Sequence, residues 1–183
     1  MSRIGIFLAD GFEEIEGLTV VDILRRAQLD IRMISISSTK KVTGAHNIVL
    51  EADEILAESD TDGLDMLVLP GGMPGTKNLG ACEKLIEALK KADLENRGIA
   101  AICAAPSILG DLGLLEGKRA VCYPGFEERL RGALVTYDPV VTDGHITTSR
   151  GMGTAIPFAL ELTARLLGKE TADRIGKSVI YGV

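Results

Sequence analysis

The sequence predicts an α/β fold in which helices cover both faces of a mostly parallel, doubly wound sheet. Short apolar runs of strand length alternate along the chain with longer segments of helical periodicity. The runs are apolar nearly throughout, as in strands that are buried on both faces, and they lack the alternation of a half-exposed strand. Strands that alternate with helices pair in parallel through right-handed crossovers.

Composition favours one globular domain over residues 1–183 and argues against several classes of function. Hydrophobic residues make up 46% of the sequence and charged residues 25%, and the net charge of -6 has acidic and basic residues interleaved. This pattern offers no basic patch, so we expect neither a nucleic-acid nor a membrane-surface partner. No apolar run approaches the ~20 residues of a membrane span. The strand pattern begins at once, so we expect no signal peptide.

The cysteines and histidines are too few and too scattered for a disulfide framework or a His-rich metal site. Cys82, Cys103 and Cys122 are widely spaced and odd in number. They fit neither a disulfide framework nor a zinc site of the CxxC type, and they suggest a reducing cytoplasm. With only His46 and His145, we expect no metal centre.

Residues 1–70 predict three strands, one helix and an edge excursion. The predicted strands are 3–9, 31–37 and 65–70, the helix is 13–28, and the antiparallel excursion is 42–50. Residues 51–62 are polar, so we expect a surface segment there with room for one helical turn.

Three acids and one histidine in this region need an interpretation. Glu13 and Glu14 fall in the first turn of the helix, where acids suit the helix dipole, and we interpret them so. Glu16 points about one turn away from them, so we expect it to face the top of the sheet. We interpret His46 as a solvated loop histidine.

Residues 82–183 predict four further helices and several short strands. The predicted helices are 82–96, 106–112, 154–167 and 169–176, the strands are 99–102, 120–123, 134–137, 140–142 and 146–149, a helical turn is 127–131, and a loose tail is 179–183. The predicted core positions of the first of these helices are Leu85, Ile86, Leu89 and Leu94. Asp143-Gly144 is a strong hairpin signal.

Cys103 lies where the strand 99–102 meets a helix that begins near Pro106. Backbone N–H groups and the helix dipole favour an anion at such a place, so we expect the pKa of the thiol to be lowered. The arrangement is that of a nucleophile elbow with Cys in place of Ser. A small buried cysteine that only fills the core fits the same pattern.

A glycine turn follows the strand 65–70. Gly71 and Gly72 permit positive φ and close approach of backbone to a ligand, so the turn could supply an N–H group to an oxyanion; a plain tight turn fits as well. No phosphate-binding glycine motif occurs. Because ligands bind where the carboxyl ends of parallel strands meet, residues 10–16, the glycine turn and Cys103 predict one crevice holding an acid, N–H donors and a thiol.

Four motifs in this order resemble the ThiJ/PfpI superfamily and look most like its DJ-one-like branch, which contains the Parkinson-disease deglycase. They are Gly11-Phe-Glu-Glu-Ile-Glu16, Leu69-Pro-Gly-Gly72, Ala101-Ile-Cys-Ala-Ala-Pro106 and Thr148-Ser-Arg-Gly151. The resemblance covers almost the whole chain. It implies a flavodoxin-like α/β/α sandwich, a homodimer, and a reactive cysteine on a strained elbow with a glutamic acid hydrogen-bonded to it.

The resemblance assigns roles to particular residues. Cys103 matches the reactive cysteine and Glu16 the acid. Gly72 and Ala104 match the positions whose backbone N–H groups face the substrate oxygen. Gly71 and Tyr123 complete the expected substrate-binding set: Gly71, Gly72, Ala104 and Tyr123.

Three departures from the patterns of relatives narrow the chemistry. Tyr123 stands before Pro124 where many relatives have a histidine, and neither histidine of this chain matches that position, which weakens any mechanism that needs a Cys–His pair. Ala104 follows Cys103 where the protease-like branch has histidine, so proteolysis is disfavoured. The later His-x-Glu of the glutamine-amidotransferase relatives is absent.

The resemblance implies a cofactor-free, metal-free enzyme that acts on small carbonyl compounds. The Cys103 thiolate would attack the aldehyde carbon of methylglyoxal or glyoxal, Glu16 would move a proton between the two carbons, and water would release a hydroxy acid; early glycation adducts could react with the same thiol. Two alternatives stay open. One is an oxidative-stress sensor or redox-regulated chaperone whose cysteine is oxidised to sulfinic acid. The other is a scaffold with an inert cysteine.

Overall fold

A seven-stranded sheet with helices on both faces is shown by the computed structural model, which describes residues 2–182. The strands are β1 (Arg3–Leu8), β2 (Asp30–Ser35), β3 (Lys41–Thr43), β4 (Val49–Glu51), β5 (Glu54–Ile55), β6 (Met66–Leu69), β7 (Gly98–Ile102), β8 (Arg119–Ala120), β9 (Leu134–Val135), β10 (Val140–Asp143) and β11 (Ile146–Ser149). The helices are α1 (Glu14–Arg26), α2 (Gly75–Gly80), α3 (Glu83–Leu94), α4 (Pro106–Asp111), α5 (Ala155–Leu167) and α6 (Lys169–Ser178), with 3₁₀ turns at Glu127–Arg129 and Met152–Thr154.

The strand order of the large sheet is β10-β11-β7-β6-β1-β2-β5. Neighbouring strands are parallel except β10 and β11, which form the predicted hairpin with Gly144 at a φ of +59°. The pairs β3–β4 and β8–β9 form separate small sheets. The carboxyl ends of β1, β6 and β7 therefore lie side by side, where the sequence predicts a crevice.

Both faces of the sheet are covered, which explains why the strands are apolar without alternation. In β1, the side chains of Ile4, Ile6 and Leu8 enter the core beneath α1 and α5, whereas Phe7 enters the core on the opposite face, which α3 and α4 cover. Helix α5 packs against both α1 and α6. The predicted fold class is confirmed.

Several local predictions are wrong, and each has a physical reason. Residues 51–62 hold β5, because two residues of this polar segment add to the edge of the sheet beside β2. Leu94 is 82% exposed, since α3 ends there and its last turn projects beyond the core. The predicted strand 120–123 shortens to β8 because its later residues turn toward the elbow. Helix α2 was not predicted.

Two predictions concern the chain ends and the capacity to span a membrane. Of the predicted tail 179–183, Val183 lies outside the described residues, as does Met1 at the start of the predicted first strand pattern. Among residues 2–182, no helix has both the length and the apolar character that a membrane crossing requires.

Candidate active site

Cys103 occupies a strained elbow between β7 and α4. Its φ of +66° lies in the left-handed region, which costs a residue with a Cβ about 1–2 kcal/mol. Two backbone hydrogen bonds hold the conformation: the Cys103 N–H donates to the carbonyl of Ser149 at 3.0 Å, and the Tyr123 N–H donates to the carbonyl of Cys103 at 2.8 Å. The side chain is half-buried. The elbow predicted from the sequence is therefore present.

Glu16 projects from the first turn of α1 toward this elbow. It is only 1% exposed, and the Gly71 N–H donates to its Oε2 at 2.9 Å. The Cys103 thiol lies close enough to this carboxyl group for each to shift the pKa of the other. Its Oε1 is buried and has no hydrogen-bond partner among the described residues. Glu16 thus faces the top of the sheet, as the sequence indicated, with one oxygen bound and the other free.

Burial governs the protonation of this pair. The pKa of Glu16 is raised to about 7, mainly because burial penalises the carboxylate, although hydrogen bonds from Cys103 and Gly71 oppose the rise. The pKa of Cys103 is raised to about 12, first by burial and then by the charge of Glu16. The prediction of a lowered thiol pKa is therefore wrong. The N–H groups of Gly72 and Ala104 do point to the sulfur and lower its pKa, but burial outweighs them.

The predicted backbone donors therefore surround the sulfur atom itself. Gly72 has a φ of +91°, a conformation open to glycine, and this turns its N–H toward Cys103. Ala104, the first residue after the elbow, supplies the second N–H. A negative charge that develops on or beside the sulfur would meet two fixed donors.

Cys103 lines an open cleft of about 590 Å³. The residues that line it are Glu13, Glu16, His46, Cys103, Tyr123, Pro124, Arg150, Gly151, Met152, Gly153 and Thr154. Tyr123 is 50% exposed there, so the residue that replaces the family histidine does face the cleft. The guanidinium group of Arg150 lies over the ring of Tyr137, 5.7 Å from its centroid. A small molecule can reach Cys103 through this opening.

One wall of the cleft is a loop that two hydroxyl groups hold in place. Ser149 Oγ and Thr154 Oγ1 lie 2.7 Å apart, and the Gly151 N–H donates to Thr154 Oγ1 at 3.1 Å. Sequence reasoning missed these hydroxyls as positioning groups. The sequence does place a Ser and a Thr beside glycines at the end of a strand. This composition is common in loops, so it did not identify these hydroxyls as positioning groups.

Glu14 and His46 form a second polar cluster at the mouth of the cleft. Glu14 is 3% exposed and accepts hydrogen bonds from the backbone N–H of His46 at 2.8 Å and from its ring Nδ1 at 2.9 Å. Burial raises the pKa of Glu14, but hydrogen bonds from His46 and Ile48 outweigh burial and lower it. Glu14 does lie in the first turn of α1 and His46 is an exposed loop histidine, as expected, but the sequence did not predict the hydrogen bonds that join them. The loop between β3 and β4 folds over the start of α1 and encloses the carboxylate.

The remaining cysteines and histidine lie away from this chemistry. Cys82 packs at the start of α3, and Cys122 is buried in the core, where burial raises the pKa of its thiol to about 11. All three cysteines are unpaired. His145 is bonded to Asp93 at 2.7 Å, near the amino end of β11. None of these groups faces the sulfur of Cys103 across the cleft.

Comparison with known proteins gives one consistent result. Residues 2–165 match the DJ-1/PfpI family. Protein DJ-1 homolog B of Arabidopsis thaliana is 38% identical over 97% of this chain, which spans 41% of that longer protein. A Pyrococcus abyssi protein named as a deglycase is 33% identical over 82% of this chain and 91% of its own length. The solved structure of oxidized Toxoplasma gondii DJ-1 has a TM-score of 0.96 and 32% identity, with 100% of both chains covered.

Proposed function

The chain belongs to the DJ-1/PfpI family, and on this premise we propose that it is a cysteine-dependent enzyme that converts small dicarbonyls such as methylglyoxal or glyoxal into hydroxy acids. The observation that carries the proposal is the close pair formed by buried Glu16 and half-buried Cys103, both of which line one open cleft. The relative named as a deglycase supports chemistry at a carbonyl or its amine adduct. Deglycation of early glycation adducts would use the same pair.

The first step is attack of Cys103 Sγ on the aldehyde carbon. Because the pKa of the thiol is raised, its proton leaves as the carbon–sulfur bond forms, and the Glu16 carboxylate accepts it. With a pKa of about 7, roughly half of Glu16 is ionised near neutral pH. The N–H groups of Gly72 and Ala104 stabilise the oxyanion, an effect worth about 3 to 4 kcal/mol per donor in other enzymes. Glu16 then returns the proton to oxygen, which gives a hemithioacetal.

The second step moves a proton between the two carbons. The Glu16 carboxylate removes the proton on the sulfur-bearing carbon, an enediolate forms, and Glu16 delivers the proton to the neighbouring carbon. One carbon is oxidised to a thioester while the other is reduced to an alcohol, so the step needs no external oxidant. Water then attacks the thioester, releases the hydroxy acid and restores the thiol. The residues of the pair supply every proton transfer.

The test is a turnover assay that follows consumption of methylglyoxal and formation of lactate. It compares the wild type with three variants. We expect no turnover in Cys103→Ala, and a rate lower by about 10²-fold or more in Glu16→Gln, because the amide cannot accept a proton. Cys82→Ala is the matched control and keeps its activity. Unchanged turnover in Cys103→Ala would overturn the proposal.

A second candidate function is oxidative-stress sensing, with or without chaperone activity. It is favoured by the similarity to Toxoplasma gondii DJ-1, whose solved structure is of the oxidized protein. Two molecules of hydrogen peroxide would convert the Cys103 thiol to a sulfinic acid and leave two molecules of water. Gain of two oxygen atoms at Cys103 in mild peroxide, in a protein that turns over no dicarbonyl, would favour this function.

We also propose a homodimer in a reducing compartment such as the cytoplasm. The outer face of α1 exposes apolar side chains, with Ile15 50% and Leu18 38% exposed, and Ile48 beside them is 54% exposed. Such a continuous apolar face is typical of a protein interface. Light scattering should show a dimer that Leu18→Asp converts to a monomer. The three unpaired cysteines fit a reducing compartment.

A further inference from the structure

Two carboxylates at the mouth of the cleft share one histidine. Within residues 2–182, the ion pairs of Glu13 and Glu14 are both made with His46, at 3.6 Å and 2.9 Å from its Nδ1. Glu16 makes no ion pair there, and its buried Oε1 lacks a partner while its side chain lines the same cleft as Glu13 and His46. Arg150 also lines the cleft, but its guanidinium group lies over Tyr137. His46 is therefore the ion-pair partner that Glu13 and Glu14 share within residues 2–182.

The three ligand atoms of Glu13, Glu14 and His46 already have the spacing of a metal site. They all lie within 4.8 Å of one another. Two atoms bonded at 2.0–2.1 Å to a tetrahedral ion lie about 3.3 Å apart. The two distances from His46 Nδ1 to the carboxylate oxygens, 2.9 Å and 3.6 Å, fall on either side of this value. An ion could replace the ring proton between His46 and Glu14 after only small movements of the ligand side chains.

We propose that Glu13, Glu14 and His46 bind a divalent transition-metal ion such as Zn²⁺ at the mouth of the cleft. One imidazole nitrogen and two carboxylate oxygens form a donor set that suits Zn²⁺ and its neighbours, whereas Mg²⁺ and Ca²⁺ prefer oxygen ligands alone. Three protein ligands leave the fourth tetrahedral position open, and the cleft supplies space for water there. The site lies beside the catalytic pair and does not depend on the proposed reaction.

The surrounding backbone holds two of the three ligands in place before any ion arrives. The N–H groups of His46 and Ile48 donate to Glu14 Oε1, at 2.8 Å and 3.5 Å, which leaves Oε2 toward the imidazole. A Cβ at Gly44 would lie 2.2 Å from Glu14 Oε1, so only glycine leaves room for this carboxylate. The Ala45 N–H donates to the carbonyl of Phe12 at 2.8 Å and fixes the loop against the start of α1. Hydrogen bonds and packing around ligand side chains of this kind orient the ligands and increase metal affinity.

The test is titration of the purified protein with Zn²⁺ by calorimetry and with Co²⁺ by visible absorption. We expect one Zn²⁺ ion per chain, and visible Co²⁺ bands without a sulfur-to-cobalt charge-transfer band. Binding should weaken by about tenfold or more in His46→Asn and in Glu13→Gln, and stay unchanged in Cys103→Ala. His46 is 66% exposed at its side chain, so its replacement leaves the core intact.

Three results would overturn the proposal. The first is absence of Zn²⁺ binding to the wild-type protein. The second is equal Zn²⁺ affinity in wild type and His46→Asn. The third is binding that Cys103→Ala abolishes, or a sulfur-to-cobalt band, since either would place the ion on the thiol. All readouts are of binding, so failure of the dicarbonyl activity leaves this test unaffected, and the reverse also holds.

Discussion

The carboxyl group of Glu16 and the thiol of Cys103 meet across a space that only a glycine leaves open. A Cβ at Gly71 would lie 2.7 Å from Glu16 Oε2 and 3.0 Å from Cys103 Sγ, and 2.5 Å from the Cys103 Cβ. The same residue donates its N–H to Glu16 Oε2. Gly71 therefore both holds the acid and permits its contact with the sulfur.

Gly71→Ala should separate the pair. The added methyl group cannot fit without moving the elbow, so we expect a loss of about 1–3 kcal/mol in the free energy of unfolding and at least tenfold lower dicarbonyl turnover. Gly80→Ala is the matched control, because a Cβ there meets Ile108 only at 3.6 Å, an ordinary contact. Chemical denaturation and a turnover assay measure both effects. Full activity in Gly71→Ala would show that the close contact is unnecessary.

The elbow strain should be visible in stability. Cys103→Gly accepts a φ of +66° without steric cost, whereas Cys103→Ala retains the Cβ that is strained there. We expect the glycine variant to be more stable than the alanine variant by about 1 kcal/mol in urea denaturation. The two variants remove the same sulfur, so their difference in stability comes from the Cβ and the backbone conformation that it strains. Greater stability of the alanine variant would argue that the elbow is relaxed.

The raised pKa of Glu16 should make wild-type stability depend on pH. In the folded protein Glu16 titrates near 7, against 4.5 for an ordinary glutamate, so between these values the folded state binds more protons than the unfolded state. The resulting stabilisation is complete below pH 4.5 and is lost as pH rises through 7. Compared with Glu16→Gln, the wild type should lose about 3 kcal/mol over this range. Parallel stability curves for the two proteins would contradict the raised pKa.

Glu14 should stabilise the loop between β3 and β4. Glu14→Ala leaves the N–H groups of His46 and Ile48 without their acceptor, so we expect a loss of about 1–3 kcal/mol and faster hydrogen exchange at the His46 amide. Asp22→Ala is the control, because its carboxylate forms only an exposed pair with Arg26 on the same helix. Unchanged exchange in Glu14→Ala would show that the loop is held by other contacts.

The parts of the fold that follow from local chemistry were predictable from the sequence. Apolar runs such as 99–102 predicted buried strands, and Asp143-Gly144 predicted the hairpin between β10 and β11. Edge contacts were not predictable, because β5 has only two residues, Glu54 and Ile55, and forms by pairing with β2. Helix α2 was not predictable, because its six residues include two glycines and lack an apolar stripe.

The candidate site was predictable in its residues and less so in its electrostatics. Strand ends brought Glu16, Gly71 and Cys103 together as expected. The degree of burial was hidden from the sequence, and burial reverses the expected direction of the thiol pKa. Glu14 and His46 are 32 residues apart in the chain, so no local pattern joins them.

The most direct test of the Glu16–Cys103 pair is the pH dependence of Cys103 alkylation by iodoacetamide, read by mass spectrometry of its peptide in wild type and Glu16→Gln. Because the charge of Glu16 raises the pKa of the thiol, removal of that charge should move the alkylation profile to lower pH by about one unit or more. Coincident profiles, or a shift to higher pH in Glu16→Gln, would contradict the account.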